Sequence, residues 1–142
     1  MECEVPTVNS NKSEIKDILK SVKSIAVMGL SPNPEKDSHR VAKYLQEAGY
    51  KIYPVYPKED TILGEKVYRA LTDISEKVDM VNVFRKPAAV APIVDKAIER
   101  GDVDVIWTQI GIVNNEAGEK ATANGMRVVQ NQCSMVEHRT LI

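Results

Sequence analysis

The chain alternates between two hydrophobic periods. Ile15, Ile18, Leu19 and Val22 recur at helical spacing after Ser10-Asn11, giving one apolar stripe. Ser24-Ile25-Ala26-Val27-Met28-Gly29 follows as an unbroken apolar run closed by glycine, the pattern of a strand buried on both faces. Two prolines in the next segment, Leu30 to Asp37, forbid regular structure there. A second helix is expected with Ser38 or Asp37 as its cap, Val41, Ala42, Tyr44, Leu45 and Ala48 on its inner face, and Gly49 as its stop. Tyr50 to Tyr56 reads as the second strand, in which Pro54 lacks a ladder donor and calls for a bulge or a solvent-facing position.

No helix is expected from Glu59 to Arg69, and a short helical turn is expected at Asp73 to Lys77. Asp79 to Phe84 is the third strand. Lys86-Pro87 then opens a helix with Val90, Ile93, Val94, Ala97 and Ile98 inward and Gly101 at its end. Val103 to Gln109 is the fourth strand, Asn114 caps a helix running to Asn124-Gly125, Met126 to Gln130 is the fifth strand, and the tail from Ser134 makes one or two helical turns. Apolar strands alternating with glycine-stopped helices predict an α/β fold: a doubly wound, five-stranded parallel sheet with helices on both faces. Residues 1–142 read as a single domain, with a flexible N-terminus over 1–12.

Composition narrows the function classes. With 19 Lys+Arg against 20 Asp+Glu in 142 residues, the net charge is -1, which gives no broad face for nucleic acid. No apolar run approaches the ~20 residues that span a bilayer, and the acidic start Met1-Glu2-Cys3-Glu4 is unlike a signal peptide, so a cytoplasmic location is expected. Cys3 and Cys133 are the two cysteines, and His39 and His138 the two histidines; this supports neither a disulfide framework nor a zinc site.

Open α/β sheets bind ligands beyond the C-terminal ends of their strands. Four segments meet there: Gly29 to His39, Pro57-Lys58, Phe84-Arg85-Lys86-Pro87, and Gln109-Ile110-Gly111-Ile112. The first, Gly29-Leu30-Ser31-Pro32-Asn33-Pro34, has one glycine where a dinucleotide fingerprint has three, so the NAD motif fails. Ser31, Asn33, Ser38 and His39 beside a helix N-terminus remain able to hold a phosphate. NAD enzymes place an acid at the end of the second strand, whereas Lys58 here suits a phosphorylated ribose. Arg40, Lys58, Arg85 and Lys86 converging on one crevice of an otherwise neutral chain point to a small anionic ligand. Gln109, Ile110 and Gly111 offer an amide, an apolar contact and a flexible backbone for an adenine or an acyl or pantetheine arm.

Ile25 to Pro34, Val41 to Tyr50, Pro54-Val55-Tyr56-Pro57-Lys58, Gly111 to Ala117 and Cys133-Ser134-Met135-Val136-Glu137-His138 resemble the small stand-alone CoA-binding domain proteins. They are similar to the nucleotide-binding N-terminal domain of the succinyl-CoA synthetase α-subunit. The resemblance covers about Ser24 to His138 and implies a Rossmann-like fold with coenzyme A as cofactor. By position it implies that Ser31 to Pro34 correspond to the synthetase phosphate loop, Lys58 to its strand-two lysine, Phe84 to Pro87 to its loop after strand three, and Thr108-Gln109-Ile110 to its contact after strand four. Pro32 and Pro34 replace glycines of that loop, and Tyr56 stands where the family has asparagine. The synthetase's phosphorylated histidine belongs to a second domain, so its ligase activity is not implied here.

No Gly-x-Ser-x-Gly elbow occurs, and Cys133 with His138 is the only nucleophile and base pair close in sequence, so no catalytic residue is assigned. The expected function is a non-catalytic binding or regulatory module for coenzyme A or an acyl-CoA. The alternatives are an NADP-type oxidoreductase and a CoA-linked redox or interaction protein in which Cys133 pairs with the CoA thiol. A homodimer or a further protein partner is left open.

Overall fold

The computed structural model describes residues 5–142. Helix α1 (Lys12–Ser21) is started by a capping box: Asn11 accepts from the Glu14 N–H and the Glu14 carboxylate accepts from the Asn11 N–H. Such caps contribute about 1 kcal/mol. Strand β1 (Ser24–Met28) is buried throughout, as its apolar run requires. Helix α2 (Asp37–Glu47) leads to β2 (Lys51–Val55). The remaining elements are the hairpin β3 (Thr61–Ile62) and β4 (Glu65–Lys66), β5 (Met80–Val83), α3 (Pro87–Arg100), β6 (Val105–Thr108), α4 (Asn115–Ala123), β7 (Arg127–Val129) and α5 (Ser134–Leu141).

The main sheet has five strands in the order β2-β1-β5-β6-β7, all parallel, which is the expected doubly wound, Rossmann-like arrangement. The chain moves from β1 outward to β2 and then returns to the other side of β1 as β5. That reversal is the switch point, where neighbouring loops diverge and open a crevice. One core cluster packs β-sheet residues such as Val81 and Ile106 against Val94 and Ala97 of α3 and Ala121 of α4. The other packs Val27, Ile52 and Trp107 against Ile15 and Ile18 of α1 and Leu45 of α2. Helices thus cover both faces.

Pro54 needs no bulge. It sits in edge strand β2, and its carbonyl points outward to accept from the Tyr68 N–H at 2.9 Å, so the missing N–H lies on the outer edge. Asn114 caps α4 as expected, accepting from Ala117 N–H, and Gly101 ends α3 with φ 81°.

The connection from Glu59 to Arg69 carries no helix, as expected, and one helical turn is shifted. The helical turn expected at Asp73 to Lys77 is a 3-10 turn at Leu71–Asp73. The connection after Lys58 contains a hairpin whose turn places Leu63 and Gly64 at φ 55° and 75°, the backbone twist of a tight hairpin turn. The flexible segment expected over 1–12 falls partly outside the described residues, with Cys3; beyond it the chain is tied down. Thr7 N–H donates to Asn115, Gln130 donates to the Val8 carbonyl and to Asn9, and the Ser10 hydroxyl donates to the Val128 carbonyl. The Val128 carbonyl, Gln130 just after β7 and Asn115 of α4 hold this segment without apolar periodicity, which is why the sequence pattern misses it.

Candidate functional site

At the switch point Gly29 leaves β1 with φ 87°, a backbone conformation that glycine reaches without strain. Close packing makes a second demand on it. A Cβ there would stand 2.9 Å from the Phe84 carbonyl oxygen and 2.9 Å from Cδ of Arg85. The loops after β1 and β5 therefore touch through a missing side chain, and Arg85 is laid across Gly29.

Two crevices open at this edge and share Phe84 as a wall. The first, of about 410 Å³, is bounded by Gly29, Tyr56, Pro57, Arg69 and Arg85. Arg69 donates to the carbonyls of Tyr56 and Lys58, both at 3.0 Å, and so holds the loop after β2 in place. The second, of about 350 Å³, lies between the start of α2, the loop after β6 and the start of α5, with Phe84, Ile110, Ile112, Cys133, Met135 and Val136 on its walls. Ligand pockets typically begin near ~300 Å³.

The four expected cations do not converge. Arg85 lines the first crevice, while Arg40 lines the second in an ion pair with Asp37. Lys58 is exposed beside the first crevice, and Lys86 is the exposed N-cap position of α3. Arg69 supplies the second cation of the first crevice. No sequence signal marked it, because only the bridge between Val55 and Tyr68 returns the chain to the edge of β2.

The loop after β1 is organised by its own side chains. Ser38 is not a helix cap: it lies inside α2, and its hydroxyl accepts from the Ser31 N–H at 3.0 Å, while the Ser31 hydroxyl accepts from Asn33 N–H and the Asn33 side chain from Glu35 N–H. These donors and acceptors are spent on the loop, with Pro32 and Pro34 stiffening it. His39 Nδ1 lies 2.9 Å from the Ser31 carbonyl. A carbonyl only accepts, so Nδ1 carries the proton and the neutral ring presents a lone pair at Nε2. His39 donates to an incoming phosphate only as imidazolium, not as the neutral ring. Leu30 is fully buried in the core, so only its backbone faces the loop.

After β6, Ile112 N–H donates to the Gln109 carbonyl across a turn in which Gly111 has φ 86°, and the Asn131 side chain accepts from Gly111 N–H at 2.7 Å. Thr108 turns inward to donate to the Ile112 carbonyl at 2.7 Å. Gln109 is buried too. Its amide nitrogen donates to Asn82 Oδ1 at 2.6 Å and to Ser134 Oγ at 2.9 Å, and the Asn82 amide donates to Ser134 Oγ at 2.9 Å. This buried triad joins β5, β6 and α5 under the floor of the second crevice.

Residues 23–139 match the model of a CoA binding domain. The chain belongs to this family. It is 42% identical to the protein YneT of Bacillus subtilis over 130 residues, 92% of this chain and 96% of YneT. A solved hypothetical protein from Pyrococcus horikoshii OT3 superposes with TM-score 0.90 at 41% identity, covering 99% of each chain. The ADP-forming acetate–CoA ligase of Methanocaldococcus jannaschii is 25% identical over 118 residues, 78% of this chain but 17% of the ligase. A dinucleotide-forming acetyl-coenzyme A synthetase from Ca. Korarchaeum cryptofilum matches at 27% identity and TM-score 0.63 over 75% of this chain and 25% of its own. The chain thus spans a quarter or less of these two larger proteins.

Within this CoA binding domain the two groups considered as nucleophile and base face different surroundings. Cys133 lines the second crevice, whereas His138 shares a 2.9 Å hydrogen bond with the Tyr44 hydroxyl and stands edge-on to Tyr44 and Tyr50. Burial pushes the His138 pKa below its ordinary value. The folded chain therefore takes up this proton at lower pH than the unfolded chain does. Its contribution to stability is full above about pH 6.5 and is lost as pH falls from there through the folded value. The urea midpoint is expected to drop between pH 7.5 and 5.5 by more in the wild type than in His138→Gln; equal drops would remove His138 from the account.

Proposed function

We propose that the chain binds coenzyme A or an acyl-CoA as a non-catalytic binding or regulatory module. The observation that carries this reading is the pair of crevices joined at Phe84, one edged by Arg69 and Arg85 over a side-chain-free Gly29, the other apolar. Coenzyme A is a phosphorylated nucleotide at one end and a flexible thiol arm at the other, so it needs cationic and apolar surfaces in continuity. The nucleotide lies in the first crevice, its phosphates against Arg85, Arg69 and Lys58, with the loop from Gly29 through Ser31, Pro32, Asn33 and Pro34 to Ser38, His39 and Arg40 beside it. Pro57 and Phe84 flank it, and Lys86 adds charge at the rim. The arm runs past Thr108, Gln109, Ile110 and Gly111. Membership of the CoA binding domain family and likeness to part of two CoA ligases support the same ligand.

The test is native mass spectrometry of freshly purified protein followed by calorimetry with coenzyme A, dephospho-CoA and NADP. A coenzyme A adduct, or saturable binding of coenzyme A, is expected. An NADP adduct would replace this reading with an oxidoreductase, and no saturable binding of coenzyme A would overturn it. Lys58→Ala is expected to weaken coenzyme A about tenfold more than dephospho-CoA, the size of one charge-assisted phosphate contact. Equal loss for both ligands would deny Lys58 that phosphate.

A further inference from the structure

We propose that the apolar crevice seats the acyl group of an acyl-CoA, and that the acyl group it selects is short, apolar and uncharged. This rests on the coenzyme A reading above and extends it to the substrate class.

Four large hydrophobic side chains are left exposed among the described residues: Val5, Ile110, Val136 and Ile142. Val5 and Ile142 lie at the ends of the described chain, while Ile110 and Val136, 69% and 36% exposed, both edge this one crevice. Ile110 is held there by design of the backbone. It occupies the tip of the Gln109 to Ile112 turn, closed by the Ile112 N–H to Gln109 carbonyl bond and by Gly111 at positive φ. An apolar tip fixed over an apolar hollow needs an apolar occupant to remove it from water.

Two further features say which occupant. Gln109 is 5% exposed and lines the crevice, and its amide nitrogen is committed to Asn82 and Ser134. Its Oε1 accepts no hydrogen bond among the described residues and, since none of their sealed side-chain polar atoms lacks a partner, keeps some exposure. That oxygen accepts an N–H from the amide-bearing arm and repels a carboxylate. At the rim, Asp37 and Arg40 are paired with each other, so the entrance offers no unmatched cation to a charged acyl group. Phe84 links the hollow to the arginine-edged crevice, so an anionic nucleotide and an apolar tail reach their seats in one molecule.

Calorimetry with coenzyme A, butyryl-CoA and succinyl-CoA tests this on the wild type and on a Met135→Gln/Val136→Gln variant. Butyryl-CoA is expected to bind about tenfold more tightly than coenzyme A, and succinyl-CoA no more tightly than coenzyme A. The variant is expected to lose the butyryl preference, binding butyryl-CoA and coenzyme A within about twofold of each other, while its urea midpoint reports that it folds. Equal affinity for coenzyme A and butyryl-CoA in the wild type, tighter binding of succinyl-CoA, or a butyryl preference that survives in the variant would each overturn the proposal. So would a wild-type dimer that the variant dissolves without any acyl preference, since a second copy would then cover Ile110 and Val136. Failure of every ligand, coenzyme A included, would instead overturn the reading on which this one rests.

Discussion

Gly29→Ala is expected to lower stability by about 2–4 kcal/mol and to abolish measurable coenzyme A binding at ligand concentrations that saturate the wild type. The strain of an L-residue at φ 87° accounts for about 1–3 kcal/mol of this. The rest comes from packing. The added carbon meets the Phe84 carbonyl oxygen at 2.9 Å, and a backbone atom at the end of a central strand has no rotamer into which to retreat. Arg85, whose Cδ lies equally close, is pushed off the loop, so the cation is displaced from the first crevice even in molecules that fold. Urea denaturation measures the first effect and calorimetry the second. An alanine variant with wild-type midpoint and affinity would mean that the β1 and β5 loops do not touch as described.

The second large effect belongs to the buried triad of Asn82, Gln109 and Ser134. Asn82→Leu keeps the branched shape but leaves one N–H of the Gln109 amide without its acceptor at 2.6 Å and removes one of the two donors to Ser134. These groups are 0–5% exposed, so water does not replace what is lost. The expected cost is about 2–4 kcal/mol, more than an ordinary hydrogen bond contributes, because burying an unsatisfied polar group carries its full desolvation penalty. The triple change Asn82→Leu, Gln109→Met, Ser134→Ala removes all three polar groups together and is expected to recover most of that loss. Thermal unfolding of the single and triple variants decides it. A triple variant worse than the sum of its parts would contradict the network account. The triad also fixes the start of α5 against β6, so the single variant should loosen the wall that carries Met135.

The site was legible in the sequence where its signals are local. Gly29 closes an apolar run, Lys58 and Phe84-Arg85 end strands, and the doubly wound pattern places all of them at one edge of the sheet. What the sequence pattern misread were side-chain directions. Ser38 has the composition of a helix cap, yet its hydroxyl is drawn back to Ser31 because Pro32 and Pro34 bend the loop over the helix. The Thr108 hydroxyl turns back to the Ile112 carbonyl of its own loop, and the Gln109 amide nitrogen is drawn inward because neighbouring β5 and α5 supply polar partners. Asn82, alone and polar within Met80-Val81-Asn82-Val83, was the one visible sign of that buried network.

By itself the sequence determined the order of strands and helices, most of their ends, the burial of the central strands and the family. The elements and their burial follow from periodicity, caps and glycines, which act within a few residues of one another, and the family from the resemblance of longer motifs. Only the tertiary structure decided that the cations separate into two crevices, that Arg69 joins Arg85, and that Phe84 links a charged surface to an apolar one. These depend on residues far apart in the chain, Arg69 brought in by an edge bridge and Met135 by the last helix. Contacts of that kind are set by sheet order and loop closure, and no local pattern of residues encodes them.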